Sequence, residues 1–254
     1  MNSLKHILAH IESLKANRHK AIALLIDPDK CSDLESISRL LQMAESCSVD
    51  FLFVGGSLLT TDHFETSVAF IKEQCSLPVI LFPGSAQQVS HHADALFMLS
   101  LISGRNAELL IGQQVQAAPK IKAVGIEVIP TGYLLVDCGN ATTASYITQT
   151  MPIPFDKPDI AAVTVLAGEM LGLRVFYLDG GSGAKQPISS TMINLVSHAT
   201  RRPLIVGGGI KSYEDASSAF QAGADIIVVG TAIEKNPDLL FDLTKAKKDA
   251  IFTP

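Results

Sequence analysis

Along this chain the apolar positions come in short unbroken runs, separated by stretches in which apolar residues recur with helical spacing. The runs of strand length are Ala21–Ile26, Phe51–Val54, Val79–Phe82, Ala95–Met98, Ala123–Ile129 and Val175–Leu178, followed by the openings of LIVGGGI (Leu204–Ile210) and IIVVGT (Ile226–Thr231). Leu134–Val136 either extends the fifth run or pairs with it. Between the runs, helical spacing predicts Leu34–Ala44, capped by Ser32 or Asp33, then Phe64–Lys72, Glu108–Ala117, Pro158–Leu173, Ile188–Ala199, Tyr213–Ala222 and Asp238–Lys247. A leading helix places Ile7, Leu8, Ile11 and Leu14 on one face.

A strand that is apolar at every position is buried on both faces, which is the mark of a parallel sheet. Strands alternating with helices about eight times predict a (β/α)8 TIM-type barrel, and 254 residues suit one such domain spanning the chain. Only about a dozen residues join the third and fourth strands, and Ala86–His92 among them is weakly amphipathic. That is too short for a full helix layer, so the barrel is expected to be irregular there. Gly139–Pro158 is the longest loop candidate, with a polar head over Asn140–Thr150.

The strand ends carry the candidate chemistry. The sixth runs into Asp179, Gly180, Gly181, Ser182 and Gly183, the seventh into Gly207, Gly208 and Gly209, and the eighth into Gly230 and Thr231. Glycine lets a backbone approach a phosphate and turn its N–H groups toward it. Barrels of this class bind phosphate at their last strand ends. A side chain at Gly208 is therefore expected to occupy the phosphate's place and leave the fold intact. Asp179 sits where a general base would take a proton from a bound alcohol, although a turn aspartate fits the same position. Tyr177, two residues earlier, faces the same side of the strand. Asp27, at the end of the first strand in DPDK, suits Mg²⁺. An N-cap or turn role fits it as well, and fits Asp29 equally. Ser57, in Gly55-Gly56-Ser57, either adds an oxygen ligand or caps the next helix. Glu127 reads as a buried partner of a lysine, and His91 and His92 as a surface turn without visible partners.

Composition narrows the function classes. Hydrophobic residues make up 47% of the chain, ample for a large core, and the formal net charge is −5, which offers no basic footprint for nucleic acid. The four cysteines form no CxxC pair or zinc spacing, so reduced thiols in a cytoplasmic protein are expected. No apolar run reaches the ~18 residues of a membrane span, and the charged N-terminal stretch lacks a signal peptide's apolar centre.

Taken together, LIDPDK (Leu25–Lys30), FVGGS (Phe53–Ser57), IPTGY (Ile129–Tyr133), YLDGGSGA (Tyr177–Ala184), VGGGI (Val206–Ile210) and VVGTAIEK (Val228–Lys235) resemble the geranylgeranylglyceryl phosphate synthase family, which includes the heptaprenylglyceryl phosphate synthases. The pieces span nearly the whole chain in the family's order. LIDPDK with YLDGGSGA is the specific part, since VGGGI and VGT recur in many phosphate-binding barrels.

The resemblance implies a modified barrel that transfers a long prenyl group, such as geranylgeranyl, from its diphosphate to the hydroxyl of sn-glycerol 1-phosphate with Mg²⁺. It implies that Asp27 and Ser57 hold Mg²⁺. Tyr177, Leu178, Asp179, Gly180, Gly181, Ser182, Gly183, Gly208, Gly209, Gly230 and Thr231 would hold glycerol phosphate. Asp179 would be the base, beside Tyr177. The family usually carries Glu where this chain has Asp179, one methylene shorter. A homo-oligomer is expected, with membrane contact only transient, for product release. The apolar helix Asp159–Leu173 either lines a groove for the lipid tail or packs against the barrel and another subunit. The runner-up function is a sugar-phosphate isomerase or aldolase on the same barrel, but no strand core supplies the lysine an aldolase needs. A third reading, a binding protein without catalysis, has Asp27 and Asp179 against it.

Overall fold

The computed structural model describes residues 6–31 and 33–251. Eight parallel strands close a barrel in chain order, with β1 also pairing β8. They are β1 (Ala21–Ile26), β2 (Phe51–Val54), β3 (Val79–Leu81), β4 (Ala95–Leu101), β5 (Glu127–Leu135), β6 (Val175–Asp179), β7 (Leu204–Gly207) and β8 (Ile226–Val229). Alternate residues build two cores. Ala23, Phe51, Phe53, Ile80, Phe97, Ile129, Tyr177, Ile205 and Val228 fill the barrel's interior. Leu24, Leu52, Val54, Phe176, Leu178, Val206 and Ile227 face the helical shell.

The outer layer comprises α2 (Leu34–Ser46), α3 (Phe64–Gln74), α4 (Gln113–Val124), α6 (Pro158–Met170), α7 (Ser190–Ala199), α8 (Tyr213–Ala222) and α10 (Leu239–Ile251). Asp33 caps α2 by accepting the Ser36 N–H at 3.2 Å, and Ser32, the other candidate cap, lies outside the described residues. Residues 82–94, between β3 and β4, contain no helix, as the short connection requires. Gln88 anchors this connection, accepting from the Gly84 N–H at 3.0 Å and donating to the Gly56 carbonyl at 3.4 Å.

Three local expectations are corrected. The fifth strand runs over Glu127–Leu135 rather than from Ala123, because a π-turn (Glu108–Gly112) leads into α4, which continues to Val124 and stops at left-handed Gly125 (φ +73°). Pro130 stands inside β5 without breaking it. Its carbonyl accepts from Arg174 on the β6 side, so its missing N–H faces that same edge, just before the ladder begins at Thr131–Val175. Within the polar head of the long loop lies a short helix, α5 (Thr143–Thr148), started by a reciprocal Thr142–Ser145 capping box. Finally, Glu127 pairs with no lysine among the described residues. Its carboxylate accepts the N–H groups of Ile7 (2.7 Å) and Leu8 (3.0 Å) at the start of the leading helix α1 (Ile7–Ala16). Ile7, Ile11 and Leu14 of α1 belong to the interior core, so α1 closes the barrel at the end where the strands begin. No helix among the described residues is long and apolar enough to cross a membrane.

Candidate active site

Strand register sets the site at the other end, where the strands finish. Asp179 pairs with Gly207, and Gly207 with Val228, so the ends of β6, β7 and β8 lie level. Ile26 pairs with Val54, which puts Asp27 beside Gly55–Ser57. A cavity of about 660 Å³ opens between these two groups. Asp27, Gly56 and Ser57 line it, as do Tyr177, Asp179, Gly181, Ser182, Gly183, Gly208, Gly209, Gly230 and Thr231. Two residues of the expected set do not line it. Leu178 alternates into the shell, and Gly180 backs onto Cys138, whose Sγ would lie 2.9 Å from an added Cβ. Burial pushes the Cys138 thiol up to about 12, which removes it as a nucleophile.

Gly208 (φ +86°) and Gly209 (φ +78°) hold the left-handed backbone that favours glycine. A Cβ on Gly208 would stand 2.8 Å from Gly180 Cα and Gly181 N. A side chain there would strike the backbone that follows β6, not an empty phosphate space. Gly208→Val therefore disturbs the fold, contrary to the expectation of an intact one. The hydroxyls of Ser182 and Thr231, 3.1 Å apart, join the glycine turn after β6 to the start of α9 (Thr231–Lys235), whose first turn has no side-chain cap. Glycine backbone and two hydroxyls thus line the cavity from three adjacent strand ends.

Asp179 is tied at both oxygens. One accepts the Gly181 N–H at 2.7 Å, the other the Tyr133 hydroxyl at 2.5 Å. It fixes the glycine turn and also lines the mouth. Burial raises its pKa above the usual carboxylate range, against the lowering effect of the Tyr133 and Gly181 hydrogen bonds. A raised carboxylate is a better proton acceptor near neutral pH. Tyr133 was not singled out from the sequence beyond its place in IPTGY; its signal is only two-residue alternation along β5. Its ring stands edge-on to Tyr177 at 5.7 Å and to Phe82 at 5.6 Å, and the latter two rings line the mouth. Burial, then the Asp179 charge, raises both tyrosines well above their ordinary value, so they are neutral hydrogen-bond donors.

The two acids of DPDK separate clearly. Asp29 accepts from both the N–H and the hydroxyl of Thr60 and of Thr61, at 2.6–3.3 Å, and so clamps the loop after β2. Among the described residues the Asp27 carboxylate accepts only the Asp29 N–H, at 3.1 Å, and it faces the cavity. Burial raises its pKa, against that hydrogen bond and Lys30. Lys30 in turn pairs with Glu234 of α9 at 2.7 Å, bridging the rim. With Ser57, Asp27 makes a hard oxygen donor set that fits Mg²⁺, a cation bound by one or two carboxylates plus substrate phosphates.

A second, narrower cleft of about 130 Å³ shares Gly56, Ser57, Phe82 and Ala144 with the mouth. Val89, Leu96, Met98, Leu101, Ala117 and Ile121 line it, and it occupies the side of the barrel where the helix between β3 and β4 is missing.

The sequence profile described as the PcrB family matches residues 14–248. The geranylgeranylglyceryl phosphate synthase of Spirosoma linguale is 52% identical over 239 residues, covering 94% of this chain and 96% of that one. The synthase of the same name from Thermococcus kodakarensis is 46% identical over 222 residues, 87% of each chain. The crystal structure of (S)-3-O-geranylgeranylglyceryl phosphate synthase from Thermoplasma acidophilum, in complex with its substrate sn-glycerol-1-phosphate, superposes with a TM-score of 0.88 at 32% identity. It covers 98% of this chain and 100% of that one.

Proposed function

We propose a reaction for this mouth from one premise: the chain belongs to the PcrB family, with the geranylgeranylglyceryl phosphate synthases. It is a prenyltransferase of that kind, joining a prenyl diphosphate to sn-glycerol 1-phosphate. The observation that carries the reading is the level set of β6, β7 and β8 ends around one acid, beside an apolar cleft that opens into the same mouth. The isomerase or aldolase alternative is not favoured, since none of the eight strands carries the lysine an aldolase needs.

The chain's own groups divide the work. Main-chain donors around Gly181–Gly183, Gly208–Gly209 and Gly230, with the Ser182 and Thr231 hydroxyls, hold the phosphate of glycerol phosphate. The attacking hydroxyl lies toward Asp179, which takes its proton as the new C–O bond forms and the C–O bond to diphosphate breaks. Tyr133 and Tyr177 stay protonated and orient that carboxylate and the bound alcohol. Asp27 and Ser57 would hold Mg²⁺. When bound, Mg²⁺ supplies charge neutralisation for the leaving diphosphate. The apolar cleft takes the prenyl tail and keeps water from the allylic carbon, while Phe82 forms wall shared by both spaces.

A reducing compartment such as the cytoplasm is the proposed location, supported by four buried free thiols. A homo-oligomer is proposed as well, supported by the exposed Ile160, Val163, Leu166 and Met170 on α6. Tyr146, Ile147 and Met151, exposed beside the cleft, support transient contact with a lipid surface during product release.

The reaction is tested by incubating the protein with labelled glycerol phosphate, Mg²⁺ and prenyl diphosphates of several lengths. A label that becomes extractable into butanol only when both substrates are present is the expected result; an unextractable label refutes the assignment. Two substitutions probe the parts. Thr231→Val keeps shape and removes one donor. A hydrogen bond to a charged group is worth about 1.5–3 kcal/mol, so the Kd for glycerol phosphate should rise roughly tenfold to a hundredfold by calorimetry. Unchanged affinity would move the phosphate elsewhere. Ala117→Phe narrows the cleft from α4. One misplaced methylene in an apolar pocket costs about 1–3 kcal/mol, so kcat/KM for geranylgeranyl relative to geranyl diphosphate should drop by about tenfold or more. Taking the ratio within one variant cancels any loss of stability, and an unaltered ratio would place the tail outside the cleft.

A further inference from the structure

Away from the mouth, on the outer surface, the start of α3 meets the helix-less connection between β3 and β4. Glu65 lies in the first turn of α3, and His91 and His92 lie near the end of the connection. His91 Nδ1 stands 3.0 Å from Glu65 Oε1, and His92 Nε2 stands 3.8 Å from that same oxygen. The two imidazoles face one another with centroids 3.9 Å apart. One ligand atom from each of the three side chains falls within 4.8 Å of the others, and they are exposed or half-buried.

We propose that Glu65, His91 and His92 form a site for a divalent transition metal of the zinc class, which ties the β3–β4 connection to α3. Zinc bonds to imidazole nitrogen and carboxylate oxygen are about 2.0–2.2 Å long, which in a tetrahedron separates the ligand atoms by roughly 3.3–3.5 Å. The two histidine–carboxylate separations bracket that value and the ring nitrogens lie within 4.8 Å of each other, so side-chain rotations complete the shell, and solvent supplies the fourth position. An ion pair explains the cluster less well. One imidazolium satisfies the shared carboxylate oxygen, and a second one stacked on the first would be repelled. A divalent cation uses both rings as neutral ligands and keeps the carboxylate charged.

The backbones on either side are already fixed. Val89 and Ser90 are buried, and the His92 N–H donates to Ser90 Oγ at 3.1 Å. Val68 and Ile71 seat α3 in the shell core. The donor set also separates this site from the mouth. Imidazole nitrogen suits zinc, nickel or copper, whereas the oxygen donors of Asp27 and Ser57 suit magnesium. The same connection supplies Pro83, Gly84, Ala86 and Val89 to the wall of the apolar cleft, so a bound metal would stiffen that wall.

The test is calorimetric titration of Zn²⁺ alone into the tag-free full chain, with Mg²⁺ in excess to occupy oxygen sites. One equivalent of Zn²⁺ should bind, and Co²⁺ in its place should show the intense visible band of tetrahedral coordination. Removing an outer-shell partner of a metal typically costs about 10–100-fold in affinity, so removing ligands should cost at least tenfold. That loss is expected in the His91→Ala/His92→Ala double variant and in Glu65→Gln, with the Co²⁺ band gone. Thermal unfolding in Mg²⁺ alone should be unchanged in both variants, because the side chains are at the surface, while Zn²⁺ should raise the midpoint only of the wild type. The proposal is overturned if the wild type takes up no Zn²⁺, or if either variant binds Zn²⁺ as tightly as the wild type.

Discussion

Replacing Asp179 by Asn is expected to slow turnover by about 10²–10⁴-fold with both substrates still bound, the usual worth of a general base. Asn is nearly isosteric, but it cannot accept from both the Gly181 N–H and the Tyr133 hydroxyl, since one of its two ends is a donor. Some loosening of the glycine turn therefore accompanies the loss of the base. Tyr133→Phe separates the two effects. It removes one anchor and leaves the carboxylate in place. A base must be ionised to work, so activity falls as pH drops through its pKa. Burial raises that pKa, so the acid limb of the wild-type rate profile should lie above the ordinary carboxylate range. The Tyr133 hydrogen bond opposes the rise, and Tyr133→Phe should move the limb further up. Asp179→Glu should be slower than wild type and faster than Asn, because both anchors are spaced for the shorter side chain. Single-turnover rates across pH at saturating substrates decide the matter. An Asn variant within a few-fold of wild type would transfer the base role to a substrate phosphate or a bound water.

Asp27→Asn should abolish Mg²⁺-dependent turnover and spare glycerol phosphate binding. Neutralising a leaving group is worth several kcal/mol, so a loss of roughly a hundredfold or more is expected. The amide oxygen of Asn can still accept the Asp29 N–H, and Asp29 keeps its clamp on Thr60 and Thr61, so the turn itself should hold. Asp27 stands at the end of β1, while the phosphate donors stand at the ends of β6, β7 and β8. Calorimetry with glycerol phosphate and a Mg²⁺ titration of the rate read the two halves separately. A variant that loses glycerol phosphate binding and keeps its Mg²⁺ response would reverse the assignment of the two sides.

Most of the barrel was legible because burial on both faces leaves a plain mark. β1, β2, β6, β7 and β8 coincide closely with apolar runs, and each ends in an acid or a glycine. β5 was displaced because Ala123, Val124 and Ile126 continue the apolar tone of α4 into the gap, while Pro130 and Gly132 dilute the strand itself. α5 was missed because a six-residue helix held by a capping box carries too few apolar positions to show a period. At the site, glycines and acids announced themselves by type. What they touch did not. That Asp29 clamps a loop while Asp27 faces the cavity depends on Thr60 and Thr61, about thirty residues away. Tyr133 reaches Asp179, and Glu65 reaches the histidine pair, only through strand order and the path of a connection without a helix.

The helix that stops the barrel's lower end has an order of assembly built into it. α1 leaves the ribosome before any strand of the barrel, yet the carboxylate that receives its first N–H groups lies 120 residues later in the chain. At synthesis rates of about 5–20 residues per second, Ile7, Ile11 and Leu14 must wait roughly 6–24 s before Glu127 has even been made. Throughout that interval the nascent chain carries an amphipathic helix with nowhere to dock. Closing of β1 against β8 comes later still, so a helix translated ahead of every strand is among the last elements to find its place.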